Sequence, residues 1–362
     1  SLMSSVFRKW YERRFHDEEA ILLLIIISIG VALVLFVGEI FTPVIAALVL
    51  AFLLQGMVSQ LVARKIPHIF SVLIAFVLLL VLEVTSVGVL STLVFVQLDN
   101  FTEELPNFLA LLQELLFTLP EKYPALISQS QVDEWLATLN REIAGFGQWV
   151  VTFSQSKIPN LINFLVYLVL VPVLVFFFLK DKEKILGWFG RLLPNERPLL
   201  QQVWSDMNDQ MANYVRGKFI EIFVVGVISY AVFAWFELRY SALLAILVGL
   251  SVIVPYVGAF LVTIPVALVA YLQWGWGPEF IQLMIAYLVV QVLDGNVLVP
   301  WLFSEAVNLH PVAILLAIMF FGGIWGLWGV FFAIPLATLI NAVLTVWPTL
   351  RVDTDLPDEH QA

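Results

Sequence analysis

A chain of 362 residues that is 61% hydrophobic and only 13% charged has too few polar side chains to cover a water-facing surface of its own. Its apolar surface must meet lipid or other subunits, and 12 Trp and 29 Phe suit that setting, because aromatic rings populate the lipid–water boundary. A formal net charge of −10 argues against a general affinity for nucleic acid, and the absence of cysteine excludes disulfides, thiolate metal sites and cysteine nucleophiles.

A membrane helix needs roughly 20 mostly apolar residues. The first such run begins at Ile21, behind Arg8, Lys9, Arg13 and Arg14, and no small-residue cleavage site closes it. It reads as a retained membrane helix. Residues 20–37 and 40–57 give two spans joined at Gly38-Glu39, and 68–98 give a third. Residues 99–157 carry eight acidic and three basic side chains, with Leu105, Phe108, Leu109, Leu112, Leu115, Leu116 and Leu119 at helical spacing. Val132, Trp135, Leu136, Leu139, Ile143, Phe146 and Val150 repeat that spacing. The pattern predicts a small extracytoplasmic cap of amphipathic helices, divided near Pro120 and Pro124. A fourth span covers 158–180. A basic amphipathic stretch, 181–217, follows, and a transport core is expected over 218–346 before an acidic tail, 347–362.

Basic loops stay cytoplasmic. The N-terminus, Arg64-Lys65 and the segment with Lys180, Lys182, Lys184, Arg191, Arg197, Arg216 and Lys218 are expected inside, and 99–157 outside. Alternation of the first five helices satisfies all four assignments, with both termini cytoplasmic.

Two segments of the last third, 240–272 and 310–346, are 33 and 37 residues long and would run about 50 Å as straight helices, against a hydrocarbon core of about 30 Å. The first is broken at Val254-Pro255-Tyr256-Val257-Gly258, the second at Gly322-Gly323, Gly326 and Gly329. Breaks at membrane depth release backbone groups that lipid cannot satisfy, so they belong inside protein or beside a wet cavity. The segments also resemble each other: GAFLVTIPVA from Gly258 matches GVFFAIPLA from Gly329. Each follows a spanning helix, Phe219-Ile220-Glu221-Ile222 in one and Phe280-Ile281-Gln282-Leu283 in the other. As re-entrant hairpins they would form an inverted repeat of the kind many secondary transporters use; as tilted, kinked spans they would give eight crossings. The expected fold is thus an all-α polytopic membrane protein of about eight membrane segments, two of them Gly/Pro-broken.

FTPVIAALVLAFLLQ, VYLVLVPVLVFFFLKDKEKI, the VPYVGAF break, DGNVLVPWLFSEAVNLHP and GGIWGLWGVFFAIPLATLI together resemble the autoinducer-2 exporter family, and within it the PerM-like permeases, over nearly the whole chain. The resemblance implies a helical permease of the bacterial inner membrane, forming a ring-like homo-oligomer, a pentamer. Some relatives are linked to signal-molecule export and others to sodium–proton exchange, so cargo, direction and coupling ion stay open.

The sharpest polar feature is Asp294-Gly295-Asn296, preceded by Gln291 inside an apolar run. A carboxylate at membrane depth is costly and faces a partner or a wet cavity. Asp294, Asn296 and Gln291 are therefore expected to line the transport path, against the plainer reading of a carboxylate held by backbone amides. Pro255, Gly258, Gly322, Gly323, Gly326, Gly329 and Pro335 would let carbonyls and half-helix ends border it, or merely allow close packing. Glu221, Glu83 and His310 are coupling or gating candidates. Their plainer readings are an interfacial ion pair with Lys218 or Arg216, a subunit or boundary contact, and an interfacial histidine. His16, His68 and His360 form no metal-spaced cluster, and no cofactor is expected. No Walker loop or nucleophile elbow appears, so the expectation is not an enzyme but a secondary transporter of a small polar solute or ion. A passive pore is the first alternative. The second is a scaffold docking a partner through 182–215, where Trp204, Met207, Met211 and Tyr214 share a helical spacing.

Overall fold

A computed structural model describes residues 8, 11, 12, 15, 17–155, 157–303 and 309–347; of 150–155 and 157–161 it describes the backbone alone. The acidic tail 348–362, His16 and His360 lie outside the described residues. No strand occurs among the described residues. The helices are α1 (Glu18–Ala63), α2 (His68–Lys122), α3 (Gln129–Gln155), α4 (Lys157–Lys180), α5 (Lys182–Gly190), α6 (Pro198–Trp235), α7 (Ser241–Ser251), α8 (Val257–Trp274), α9 (Pro278–Leu293), α10 (Val299–Phe303), α11 (Pro311–Phe331) and α12 (Ala333–Val346), with a π-helical turn at Asp294–Leu298. Among the described residues, seven helical stretches are long and apolar enough to cross a membrane: α1, α2, the Ile162–Lys180 part of α4, α6, α8, α9 through α10, and α11. The chain is an all-α polytopic membrane protein.

The first two predicted spans are one helix. α1 runs 46 residues through Gly38, Glu39 and Pro43, about 69 Å at 1.5 Å per residue. A helix interior tolerates glycine at a cost of only about 1 kcal/mol, and thirty-odd apolar neighbours outweigh it. An uninterrupted helix cannot reverse, so the alternation of sides counted from a turn at Gly38-Glu39 does not hold, and the N-terminal assignment loses its support. α2 likewise continues without a boundary at residue 98, for 55 residues, so the predicted cap is the far end of α2 folded against α3. The division near Pro120 and Pro124 is present: α2 stops at Lys122 and α3 starts at Gln129. On α3, Val132 and Leu136 are buried as the spacing requires, whereas Trp135 and Phe146 are exposed.

The chain divides into two compact units. The larger comprises 43–182 and 215–304. One of its cores joins α1, α2 and α4 through Ala47, Leu54, Val58, Val72, Val175 and Leu179. The other gathers α6, α7, α8 and α9 around Val225, Phe233, Val248, Val266, Leu283 and Tyr287. The smaller unit comprises 1–42, 183–214 and 305–362. Its core packs Leu23, Leu200 and Val203 with Met207, Leu339 and Val343.

Both Gly/Pro-broken segments turn back on themselves. In the larger unit, α7 and α8 form a hairpin whose two ends are tied together: Arg239 N–H donates to Gln273 Oε1 at 2.8 Å, and Gln273 Nε2 to the Glu237 carbonyl at 2.9 Å. A kinked span would hold those ends a membrane apart. α7 has 11 residues, about 16 Å, roughly half the hydrocarbon thickness. At the tip, Val257 N–H donates to the Pro255 carbonyl at 2.7 Å, which makes Pro255–Val257 a γ-turn around Tyr256 at φ 62°, ψ −55°. In the smaller unit, α11 breaks at Gly326 (φ 63°, ψ −136°), and Phe332 links it to α12. The sequence likeness has a structural counterpart. A Cβ on Gly258 would lie 2.8 Å from the Ser251 carbonyl carbon, and one on Gly329 would lie 2.5 Å from that of Phe321. The leading glycine of each repeat is where its two arms cross.

Candidate functional site

The α7–α8 hairpin is pressed against α6 by small residues. A Cβ on Gly249 would sit 2.9 Å from the Ile222 carbonyl oxygen and 3.2 Å from Gly226 Cα, so the two backbones touch. That approach sets the end of α7 beside the start of the spanning part of α6. Lys218 then reaches the hairpin: its Nζ donates to the Val252 carbonyl at 2.8 Å and to Glu221 Oε2 at 2.8 Å. Lys218 is 4% exposed and Glu221 2%, which makes this a buried ion pair. The ammonium also lies 5.2 Å from the centroid of the Phe303 ring, over α10.

The third charge is Asp294. It opens the π-turn after α9, and both Glu221 and Lys218 act on it electrostatically. Its Oδ1 is fully covered and has no hydrogen-bond partner among the described residues. A polar ladder runs away from it along α9: Gln291 Nε2 donates to Tyr287 Oη at 3.0 Å, and Tyr287 Oη pairs with Thr263 Oγ1 of α8 at 3.1 Å. A buried Lys218–Glu221 ion pair thus sits where a half-helix ends, with Asp294 inside its electrostatic field.

The predicted residues separate accordingly. Asp294 lies within the electrostatic reach of Glu221, Gln291 stands one turn away from Asp294, and Pro255 and Gly258 build the hairpin tip. The Glu221–Lys218 pair exists but is buried rather than interfacial. Asn296 is exposed, and its Nδ2 donates to the Val292 carbonyl of its own helix. Glu83, half-buried on α2, makes no hydrogen bond or ion pair with any described residue. Gly322, Gly323, Gly326, Gly329 and His310 lie in the smaller unit. There Gly326 and Gly329 form the break, and His310 caps α11, its Nδ1 accepting from Val312 N–H at 3.2 Å. Pro335 is buried near the start of α12.

Two members of the Trp204–Tyr214 stripe pack on their own chain. Met207 packs into the smaller unit's core, and buried Tyr214 Oη donates to the Phe331 carbonyl at 2.6 Å; Trp204 alone is well exposed. Sequence reading also missed Lys218 as a site residue, having counted it among loop charges. The signal was its i,i+3 spacing from Glu221 ahead of an apolar run.

At the opposite end of α7, an open groove of about 360 Å³ is lined by Gln97, Asn100, Glu103, Glu104, Arg239 and Tyr240. Glu104 Oε2 accepts from Tyr240 Oη at 2.9 Å and from Arg239 at 3.2 Å, and Gln97 Oε1 accepts from Leu243 N–H at 2.9 Å. The far half of α2 therefore holds the entry to the hairpin. Burial, reinforced by the hydrogen bond and charge of Glu104, pushes the Tyr240 phenol up to about 12, with Arg239 partly opposing.

Comparison with known proteins places these features in a group. The family model for AI-2E family transporters matches residues 22–349. PerM of Escherichia coli (strain K12) is 44% identical over 346 residues, 96% of this chain and 98% of that protein. YueF of Bacillus subtilis (strain 168) is 25% identical over 89% of each chain, and the AI-2 transport protein TqsA of E. coli (strain K12) is 21% identical over 89% of each.

Proposed function

The chain belongs to the AI-2E transporter family, and on that premise we propose that it is a secondary transporter of a small polar solute or ion, working by alternating access, with Asp294 as the group its cargo or coupling ion meets. The observation that carries this reading is the covered, unpartnered Oδ1 of Asp294 at the broken end of the hairpin. A buried acceptor left unpaired costs about 1–3 kcal/mol, more for a charged one. An intramembrane acid that keeps this cost serves a ligand or a proton by default. Gln291 and the Tyr287–Thr263 ladder extend the polar surface. Pro255 and Gly258 shape the hairpin tip, where the two arms cross in close backbone contact. The same reading places the chain in the bacterial inner membrane as a homo-oligomer.

The test is flux in reconstituted vesicles against a panel of small polar solutes, with proton and sodium gradients imposed separately. Saturable, gradient-coupled flux that Asp294→Asn lowers at least tenfold is expected. Unsaturated flux with single-channel steps would establish a pore instead. Asp294→Asn with intact rate and coupling would remove Asp294 from the mechanism.

A further inference from the structure

The Val252 carbonyl and the Glu221 carboxylate are hard oxygen donors, the ligand class that alkali and alkaline-earth cations take. They gather at the C-terminal end of α7, where the helix dipole favours positive charge, and half-helix carbonyl ends of this kind hold coupling cations in other transporter folds. A cation already stands there, and it belongs to the chain. Lys218 Nζ makes 2.8 Å bonds to both the Val252 carbonyl and Glu221. Its side chain is 95% buried, and the Phe303 ring closes over the ammonium. The ring is fitted to that position, because a Cβ on Gly217 would lie 2.6 Å from Phe303 Cε1. Arg216, two residues earlier, turns instead to Gly56 of α1, within 3.2 Å of where its Cβ would be.

We propose that Lys218 is a tethered counter-ion filling a latent alkali-cation site, so that this chain holds its hairpin end without bound sodium. The ammonium supplies the positive charge that the carbonyl and Glu221 require, at fixed stoichiometry and independent of the ions outside. It is a specificity-determining residue: with it, sodium has no place between the Val252 carbonyl and Glu221; without it, those two oxygen donors face a vacated volume, within the electrostatic reach of Asp294. The consequence for coupling rests on the reading of this cluster as the transport site, whereas the occupancy does not.

The test is thermal unfolding of the purified full chain and of Lys218→Ala in sodium, potassium, lithium, methylammonium and N-methylglucamine chlorides at equal ionic strength. Wild type is expected to melt at one temperature in all five. Lys218→Ala should melt lower in N-methylglucamine and regain about 2 °C or more in about 200 mM sodium or methylammonium, as mass action requires of a millimolar site. The regain should vanish in Lys218→Ala/Glu221→Gln, and Lys218→Arg should stay insensitive to sodium. A merely structural lysine would give a loss that no cation repairs. An equal sodium response in wild type and Lys218→Ala overturns the proposal. If Lys218→Ala does not accumulate, Lys218→Gln carries the same measurement. Failure of both to accumulate even in sodium-rich buffer also counts against it, since a free ion should then replace the ammonium. A sodium response in Lys218→Ala beside unaltered flux in Asp294→Asn would keep the counter-ion and remove the transport reading. The converse result would separate them the other way.

Discussion

Replacing Gly258 by alanine tests the hairpin crossing on which the site is built. The new Cβ would lie 2.8 Å from the Ser251 carbonyl carbon, and nearer still to its oxygen. Carbon atoms in favourable contact stand about 3.5–4.0 Å apart, so the arms must separate by about 0.7 Å or more. The obstacle is backbone, which has no rotamer to retreat into, so the cost belongs at the upper end of the overpacking range, about 3 kcal/mol. Unfolding entropy of about 2.1 cal/mol/K per residue amounts to about 0.8 kcal/mol/K for a chain of this length, and the expected fall in Tm is about 4 °C. Separation of the arms would also draw the Val252 carbonyl away from Lys218, so flux should fall with stability. Gly323→Ala is the control: nothing lies within 4 Å of its Cβ, and it should melt with wild type or slightly above. Thermal unfolding of the three proteins in one detergent decides the matter. Equal melting temperatures for Gly258→Ala and Gly323→Ala would refute the crossing and the placement of Val252 that follows from it.

Tyr240→Phe should flatten the alkaline limb of stability. The folded chain holds the phenolic proton up to about pH 12, whereas an unfolded tyrosine releases it near 10, so between those values the unfolded state binds fewer protons and stability falls as pH rises. Melting at pH 9 to 12 should show a steeper decline in wild type than in Tyr240→Phe; parallel curves would exclude Tyr240 as the cause. Tyr214→Phe leaves the buried Phe331 carbonyl without its donor and should cost about 1–3 kcal/mol, read as a small drop in Tm.

Much of the fold could be read from the chain because its signals are local. Apolar runs identify the spans, the break between α2 and α3 falls at Pro124, just past Pro120, and Val254–Gly258 and Gly322–Gly329 mark real reversals. The repeat was legible as well, since the same glycine solves the same steric problem in each hairpin. Helix continuity was not legible. Gly38-Glu39 looks like a joint only if glycine is read as a breaker, yet α1 continues through it, and α2 passes Asp99 and Pro106 without stopping. At the site, Asp294 stood out because an acid in an apolar run is unusual. Lys218 did not, because a lysine beside other basic residues at a helix start reads as a solvated charge. Its burial depends on Gly226 meeting Gly249, a contact between distant positions that no local pattern announces.

In each hairpin one backbone carbonyl is held by a buried side chain of α6, and the two partners differ in charge, which bears on where the chemistry lies. In the smaller unit the Phe331 carbonyl takes an uncharged phenol, which demands no counter-charge in a low dielectric. In the larger unit the Val252 carbonyl takes an ammonium, and Glu221 neutralises it. A purely structural cap would stop there, since desolvating further charge costs several kcal/mol per ion. Asp294 goes beyond it, adding a second carboxylate within the field of the first and leaving one of its oxygens covered and unpaired. Packing alone would favour an apolar or amide side chain at that position. Under the transport reading proposed above, Asp294 meets the species that arrives and leaves, and the Lys218–Glu221 pair holds the hairpin end through the Val252 carbonyl.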